Sequence, residues 1–203
     1  FSFLESSPVN KQELRKLIRK KRRALTPAQR HKAGRGLMRS LHHSPKYLSA
    51  SRVALYLTND GEIDPLWAIE DLWKRGKEVY LPVIHPIRKG YLAFIRYRPE
   101  TKMRQNRFGI AEPDFRFNKR IPARFISIIG LPLVAFDSRG NRLGMGGGFY
   151  DRTLAFSRAE GQAPTLVGCA YAFQEVRMLP AESWDIPLQY IATDKQLTSL
   201  TDL

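Results

Sequence analysis

Apolar and polar positions follow two different periods along the chain, and each period predicts one type of element. In residues 11–24 the apolar positions form one narrow stripe at helical spacing, and most of the remaining positions are basic. Asn10 before this segment is typical of an N-cap, and Thr26 followed by Pro27 is a second helix start signal. The pattern therefore predicts two helices, at about 11–24 and 27–42.

Short apolar runs later in the chain predict β-strands. They lie at residues 52–57, 78–84, 91–97, 125–137, 165–170 and 190–193. A helix predicted from Asp64 to Gly76 separates the first two runs, and this strand–helix–strand order indicates parallel pairing. The succession of elements predicts an α/β fold, a single three-layer domain over residues 1–203 with a mostly parallel sheet and helices on both faces. Residues 1–10 are expected to be a disordered or trimmed N-terminal segment.

The charge of the chain adds information about its partners. The sequence contains 34 Lys and Arg and 19 Asp and Glu, which gives a formal net charge of +15. A strongly basic protein usually meets anions, which include nucleic acid, a membrane surface and nucleotides, and charge alone does not choose among them. No apolar run is long enough for a transmembrane helix, and the N-terminus does not resemble a signal peptide. The single cysteine, Cys169, lies in an apolar stretch, so a buried core thiol is favoured over a nucleophile. These features predict a soluble protein of the cytoplasm.

Residues 142–152, RLGMGGGFYDR, place four glycines within five positions, between a predicted strand and a helix predicted from about Tyr150. Glycine lets backbone amides approach an anion closely, so the loop is a candidate phosphate site, although a tight turn for close helix–sheet packing is the alternative. The loop lacks the ending of a Walker A motif and does not fit a dinucleotide fingerprint. Arg142 and Arg152 flank it and could pair with phosphates or remain solvated. Asp151 is either a natural Mg²⁺ ligand or a charge partner of the helix start.

The same string, preceded by PLVAFDSRGN, resembles the signature of the 5-formyltetrahydrofolate cyclo-ligase family. Other segments agree with that family in order along the chain: KQELR at 11–15, GEID at 61–64, NRFGIAEP at 106–113 and LPAESWDIPL at 179–188. The resemblance implies an ATP-dependent ligase that closes 5-formyltetrahydrofolate to 5,10-methenyltetrahydrofolate, giving ADP and phosphate, with Mg²⁺. It also implies folate substrates that can carry acidic polyglutamate tails.

The resemblance further implies roles for individual residues, without identifying a catalytic group. The ATP contacts that it implies are Lys11, Arg15, Arg142, Leu143, Gly144, Met145, Gly146, Gly147, Gly148, Phe149 and Tyr150. The implied folate contacts are Leu57, Glu62, Phe108, Met145, Gly146, Gly147, Gly148 and Phe149. The implied metal ligands are Asp151 and Asp185. Taken without the resemblance, Lys11, Arg15, Glu62 and Asp185 would be interpreted as solvated surface or loop charges.

The loop departs from some family members at three positions. Met145 and Gly147 stand where those members carry basic residues, and Phe149 replaces a tyrosine. The loop therefore supplies less positive charge of its own. Backbone amides, Lys11 and Arg15 would contribute more to holding phosphate, since the two side chains lie one helical turn apart on one face.

Two other functions remain as alternatives. The charge and the basic helix would suit a nucleic-acid-binding protein, but no recognised nucleic-acid motif is present, so nucleic acid is not the expected partner. A sugar-phosphate isomerase or acyl-transfer relative without ATP would keep the fold, but the paired acids and the glycine-rich loop argue against it. We expect a monomer with small-molecule substrates and no membrane partner.

Overall fold

The computed structural model describes residues 10–159 and 164–200. The N-terminal segment predicted to be disordered or trimmed falls almost entirely on residues 1–9, outside the described residues. Its last member, Asn10, caps the first helix, because its side chain accepts hydrogen bonds from the backbone N–H groups of Gln12 and Glu13, both at 3.1 Å. The helix therefore begins where the sequence predicted.

Five α-helices lie in the described part of the chain. They are α1 (Lys11–Arg23), α2 (Pro27–Leu41), α3 (Pro45–Ser49), α4 (Leu66–Lys74) and α5 (Phe149–Thr153). The predicted start of α2 is confirmed, since Thr26 and Gln29 form a reciprocal capping box. The short helix α3 was not predicted, although Ser44 caps it in the same way.

Twelve β-strands lie in the same part of the chain. They are β1 (Arg52–Ala54), β2 (Glu78–Ile84), β3 (Leu92–Tyr97), β4 (Met103–Gln105), β5 (Ala111–Pro113), β6 (Arg120–Ile121), β7 (Ile128–Pro132), β8 (Ala135–Phe136), β9 (Arg142–Leu143), β10 (Thr165–Ala170), β11 (Tyr190–Thr193) and β12 (Leu197–Ser199). Eight of them form one sheet in the order β12-β11-β10-β7-β1-β2-β3-β6. The five strands from β11 to β2 are parallel, and β12, β3 and β6 are antiparallel to their neighbours. The predicted mostly parallel sheet is confirmed.

Both faces of the sheet are covered, as the three-layer prediction requires. One face packs against α2, α3 and α4 through fully buried side chains such as Leu37, Tyr47 and Leu72. The other face packs against α5 and the segment before β11, through Leu154 and Ile186. The second layer is thinner, because α5 has only five residues.

Two predicted strands differ from the observed ones. The run at 52–57 pairs only over β1, and the chain then turns away, although the N–H of Leu55 still donates to Tyr80 O at 3.1 Å. The stretch at 125–137 divides into β7 and β8, and β8 pairs with β9 instead of continuing the central sheet. Both departures occur at the carboxyl ends of parallel strands, where the chain opens a cleft.

Helix α1 packs outside the central sheet, on the β8–β9 hairpin. The narrow apolar stripe predicted for it supplies Leu14 and Ile18, which contact Val134 and Leu143. This packing brings the first turns of α1 beside the glycine-rich loop that follows β9.

Cys169 lies in β10 with 1% of its surface exposed, and burial raises the pKa of its thiol to about 12. The prediction of a buried core thiol is confirmed. Within residues 10–159 and 164–200, none of the helices combines the length and the apolar character that crossing a bilayer requires.

Candidate active site

A cleft of about 580 Å³ opens at the carboxyl ends of β1, β2 and β7. Its walls are the start of α1, the segment after β1, the turn between β4 and β5, the glycine-rich loop and residues 182–185. Every residue predicted to contact ATP, folate or metal lines this one cleft. Segments that are up to 174 positions apart (11 to 185) therefore meet at the edge of the sheet where α/β folds bind ligands.

The glycine-rich loop is supported by an arginine on each side. Gly146 and Gly148 have φ angles of +98° and +65°, a region in which other residues are strained. Arg15 donates from Nε to the carbonyl of Gly144 at 2.8 Å, and Arg152 donates to the carbonyl of Gly147. These bonds use loop carbonyls and leave the loop's backbone N–H groups as the candidate anion donors.

The positive charge that Met145 and Gly147 do not supply comes from α1. A Cβ atom built on Gly146 would lie only 3.5 Å from Nη2 of Arg15, so this guanidinium lies directly against the loop. One turn earlier, Nζ of Lys11 lies 3.4 Å from Oε1 of Glu182. The two basic residues thus face the cleft from the same side of the helix.

Arg142 makes different contacts from those expected of a phosphate ligand. Its side chain is 8% exposed, and it donates to the carboxylate of Asp151 and to the carbonyl of Ile186. Its guanidinium is thereby bound to other protein groups that line the cleft or lie beside it. The predicted ATP contact of Arg142 stays a prediction.

Asp151 and Asp185 both line the cleft, and each uses one carboxylate oxygen in the protein. Oδ1 of Asp151 accepts from the N–H of Ile186 at 2.9 Å, and Oδ2 of Asp185 accepts from the N–H of Glu182 at 2.9 Å. The second oxygen of each carboxylate has no hydrogen-bond partner among the described residues.

These carboxylates fit a cation that is shared with phosphates. No group of three or more His, Cys, Asp or Glu that could hold a metal occurs within residues 10–159 and 164–200. Mg²⁺ commonly takes one or two carboxylates and completes its shell with phosphate and water oxygens. The donor set therefore fits Mg²⁺ bound together with a nucleotide and does not form a closed protein cage.

Glu62 is a partly buried carboxyl that lines the cleft. Burial raises the pKa of its carboxyl to about 7, although a hydrogen bond from the N–H of Asn59 to Oε2, 3.0 Å long, works in the opposite direction. The hydroxyl pKa of Tyr150 is also raised, by burial first and then by the charge of Glu62. A carboxyl in this setting changes protonation near neutral pH.

Asp60 holds the segment that carries Glu62 against α1. Three arginines of α1 converge on its carboxylate: Arg19 at 2.5 Å, Arg22 at 3.3 Å and Arg23 at 2.5 Å. Burial opposes ionisation of Asp60, but the hydrogen bonds from Arg19 and Arg23 lower its pKa on balance. The basic run was interpreted as a solvated or ligand-binding face, and this structural role was missed.

Other lining residues were also missed. They are Tyr56, Asn106, Glu112, Glu182 and Trp184, together with apolar strand ends. Glu112 is 5% exposed and accepts from Arg104 at 3.2 Å, whereas Trp184 is 65% exposed at the mouth. Both belong to segments that carried the family resemblance, and an exposed tryptophan outside any apolar period was a signal that could have been used.

Known proteins resemble this chain over most of its length. The model of the 5-formyltetrahydrofolate cyclo-ligase family matches residues 7–194. The 5-formyltetrahydrofolate cyclo-ligase of Haemophilus influenzae is 47% identical over 178 residues, which cover 88% of this chain and 94% of that protein. The corresponding protein of Escherichia coli K12 is 43% identical over 181 residues, covering 89% and 98%.

A solved structure agrees with the sequence relatives. The structure of 5,10-methenyltetrahydrofolate synthetase from Aquifex aeolicus matches with a TM-score of 0.79 and 32% identity, covering 95% of this chain and 94% of that one. The family resemblance stated from the glycine-rich loop and the four accompanying segments is confirmed. The chain belongs to the 5-formyltetrahydrofolate cyclo-ligase family, and it is an enzyme of the ligase class.

Proposed function

We propose that this enzyme converts 5-formyltetrahydrofolate and ATP into 5,10-methenyltetrahydrofolate, ADP and phosphate. The observation that carries the proposal is the convergence of all the predicted ATP, folate and metal contacts on one cleft. Membership of the cyclo-ligase family supplies the reaction class.

The chemistry requires activation of a poor leaving group. The formyl oxygen on N5 is amide-like, so N10 cannot displace it directly. Transfer of the terminal phosphoryl group of ATP to that oxygen turns it into a phosphate ester. N10 then attacks the formyl carbon and releases its proton to water. The carbon–oxygen bond breaks, and phosphate leaves with the bonding electron pair as the ring closes. The protein has to align the two substrates and neutralise phosphate charge.

The ATP phosphates are proposed to lie on the glycine-rich loop. Its residues line the cleft, and Lys11 and Arg15 add two positive charges from α1. Because Arg15 also bonds to the Gly144 carbonyl, its guanidinium is held in place before substrate arrives. Such preorganised donors stabilise transferring phosphoryl groups without reorganisation during the reaction.

Asp151 and Asp185 are proposed to hold Mg²⁺ through their unpartnered oxygens. The ion, when bound with ATP, would neutralise phosphate charge in the cleft. Arg142 orients Asp151 for this role by fixing its other oxygen.

The folate is proposed to lie between the segment after β1 and the β4–β5 turn. Glu62 would accept hydrogen bonds from the N–H donors of the pterin ring, which suits a partly buried carboxylate on the wall of the cleft. Leu57 lines the same cleft, and Phe108, which is 62% exposed on the β4–β5 turn, would cover the ring once it is bound. Burial of an exposed aromatic side chain by the ligand contributes apolar contact area to binding.

The reaction is proposed to take place in the cytoplasm, in a protein that acts as a monomer. All the walls of the cleft come from one chain, so no second copy is needed to complete it. Light scattering at assay concentrations should give the mass of one chain, 23.3 kDa. A stable dimer that loses activity on dissociation would contradict this assignment.

The test of the proposed reaction is a spectrophotometric assay. The protein is mixed with 5-formyltetrahydrofolate, Mg²⁺ and ATP, and the near-ultraviolet absorbance of the methenyl product is followed. The expected result is a rise that requires ATP and is accompanied by equimolar ADP. Absence of product from folded protein, or a rise that is equal without ATP, would refute the proposed reaction.

A further inference from the structure

A second cavity, of about 390 Å³, lies next to the cleft. Its walls are the turn between β2 and β3, strand β3, the edge strand β6, and Thr153 of α5. Its apolar lining includes Phe94, Ile121 and Phe156, and its polar lining includes His85, Arg88, Arg120 and Arg124. Leu92 lines both cavities, so the two are neighbours that share a wall.

The positive charge of this cavity is not neutralised by residues 10–159 or 164–200. Among the residues that the structure describes, Arg88, Arg120 and Arg124 form no ion pair with a carboxylate. Some other arginines of the chain do have such a partner, as Arg116 has in Asp114 at 2.7 Å. Arg88 instead lies over the ring of Tyr91, 3.7 Å from its centroid. Three unpaired guanidinium groups around one apolar cavity attract an anion.

His85 gives an independent indication that an acceptor is missing. Its Nδ1 accepts from the N–H groups of Ile87 and Arg88, at 3.1 and 2.9 Å. These bonds place the ring proton on Nε2, because a neutral imidazole has one acceptor and one donor nitrogen. Nε2 lies 3.4 Å from Nη1 of Arg120, which is also a donor. Two donor groups therefore lie side by side at the cavity, and the described residues supply neither of them with an acceptor.

The electrostatics of His85 agree with this arrangement. Burial, followed by the charges of Arg120 and Arg88, lowers the pKa of the imidazole. The ring is therefore neutral in the free protein, and the donor that it presents is the Nε2–H group. An oxygen carrying negative charge would accept from both Nε2–H and the Arg120 guanidinium.

We propose that this cavity is a second anion-binding site, in which a carboxylate or phosphate group bridges His85 and Arg120. Arg88 and Arg124 supply further charge around the bound group, and the apolar lining accommodates the carbon chain that follows a carboxylate. Two sources present this chemistry: a free anion, and the acidic end of a molecule whose other end occupies the neighbouring cleft.

The test follows His85 directly. Inorganic phosphate, and separately a γ-linked triglutamate, are titrated into the full chain while the imidazole signals of His85 are recorded by NMR. Those signals are assigned with the variant His85→Gln. Phosphate is also expected on the glycine-rich loop, so the signal of His85 and not the total heat of binding is the readout. We expect a saturable shift that Arg120→Gln weakens at least about tenfold, since a charge-assisted hydrogen bond is lost.

Arg98→Gln is the matched control. Arg98 is exposed on the turn after β3 and outside the cavity, so this variant removes the same charge without touching the site. An unchanged affinity in the control and a loss in Arg120→Gln would support the site. No shift of His85 with either anion, or equal weakening in both variants, would overturn it.

Kinetics then identify the source of the anion, and this arm rests on the proposed function, whereas the NMR arm does not. If the anion is the acidic end of a bound folate, Arg120→Gln raises KM for a triglutamyl substrate and leaves KM for the monoglutamyl substrate unchanged. If it is a free anion, Arg120→Gln leaves both KM values at their wild-type levels, while the His85 signal of the wild-type protein still shifts with phosphate.

Discussion

Glu62 and Asp151 are carboxylates of one cleft in different surroundings. Burial raises the pKa of Glu62 to about 7, and no arginine pairs with it among the described residues. Asp151 is bound to the guanidinium of Arg142 and to a backbone N–H. Carboxylates whose environments differ in this way take different roles in one site. Glu62 is suited to recognise ring donors, and Asp151 is suited to hold a cation.

The pH dependence of folate use should therefore follow Glu62. Its carboxylate accepts from pterin donors only when it is ionised, so kcat/KM for 5-formyltetrahydrofolate should rise with pH through about 7. Glu62→Gln should lower kcat/KM by roughly tenfold to a hundredfold and remove that limb of the profile. The measurement is kcat/KM at saturating ATP across neutral pH, and an identical limb in the variant would assign it to another group.

Asp151→Asn should change the requirement for Mg²⁺. The amide keeps the shape of the side chain but loses the negative charge, so the Mg²⁺ concentration for half-maximal rate should rise, and kcat should fall roughly tenfold to a hundredfold. Activity is titrated against Mg²⁺ at fixed ATP, and circular dichroism confirms the fold. Glu100→Gln, an exposed acid outside the cleft, is the control and should match the wild type. An unaltered Mg²⁺ titration in Asp151→Asn would remove this residue from the metal site.

Helix α1 contacts the rest of the molecule through two sets of side chains, one apolar and one basic. Its apolar stripe packs on the β8–β9 hairpin, and its arginines converge on Asp60 in the segment after β1. Arg22 is 1% exposed, so its charge depends on this partner. The helix that presents Lys11 and Arg15 and the segment that carries Glu62 are thus positioned by one carboxylate.

Asp60→Asn should loosen both walls of the cleft together. Removing one partner of a buried ion pair leaves an uncompensated charge, so the free energy of unfolding should fall by roughly 2–4 kcal/mol. KM for ATP should rise because Arg15 is no longer held beside the loop. Urea unfolding and steady-state kinetics measure the two effects, and Glu13→Gln, an exposed acid on the same helix, is the control. Wild-type stability in Asp60→Asn would show that the arginines are satisfied by water.

The elements that sequence reasoning located best are those with a clear period and a clear stop. The predicted runs at 78–84, 165–170 and 190–193 coincide with β2, β10 and β11. The small hairpins were missed, because strands of two or three residues, such as β8 and β9, are too short to show a period. Their pairing depends on partners brought together by the tertiary fold.

The cleft was predicted through its motifs, and its internal contacts were not. The family resemblance placed Glu62 and Asp151 in one site without showing what surrounds them. Arg142 binds Asp151, and three arginines share Asp60. These contacts join residues up to 41 positions apart, and the charge pattern of the sequence does not predict them. Charges in a basic run look alike in sequence, and only packing decides which of them is buried.

At the scale of the whole molecule, the chain carries a net charge of +15, and basic residues lie at both cavities. Lys11 and Arg15 line the cleft, and three arginines line the neighbouring cavity. A positive field of this kind accelerates the encounter with anionic substrates and is screened by salt.

Capture of substrate should accordingly weaken as ionic strength rises. We expect kcat/KM to fall several-fold between about 0.02 and about 0.3 M salt, with a steeper decline for polyglutamylated than for monoglutamylated folate. The assay is repeated across a series of KCl concentrations, with kcat at saturation as the internal control. A kcat/KM that is independent of salt would mean that the field has no part in capture.

The ion pair between Lys11 and Glu182 joins positions 171 apart, and it closes one wall of the cleft. During translation, α1 leaves the ribosome long before Glu182 and Asp185 exist, so a nascent chain presents its basic helix without the wall that completes the cleft. ATP and folate can therefore stabilise the finished protein, but they cannot guide its early folding. Ligand protection against proteolysis would appear only in chains whose synthesis has passed residue 185.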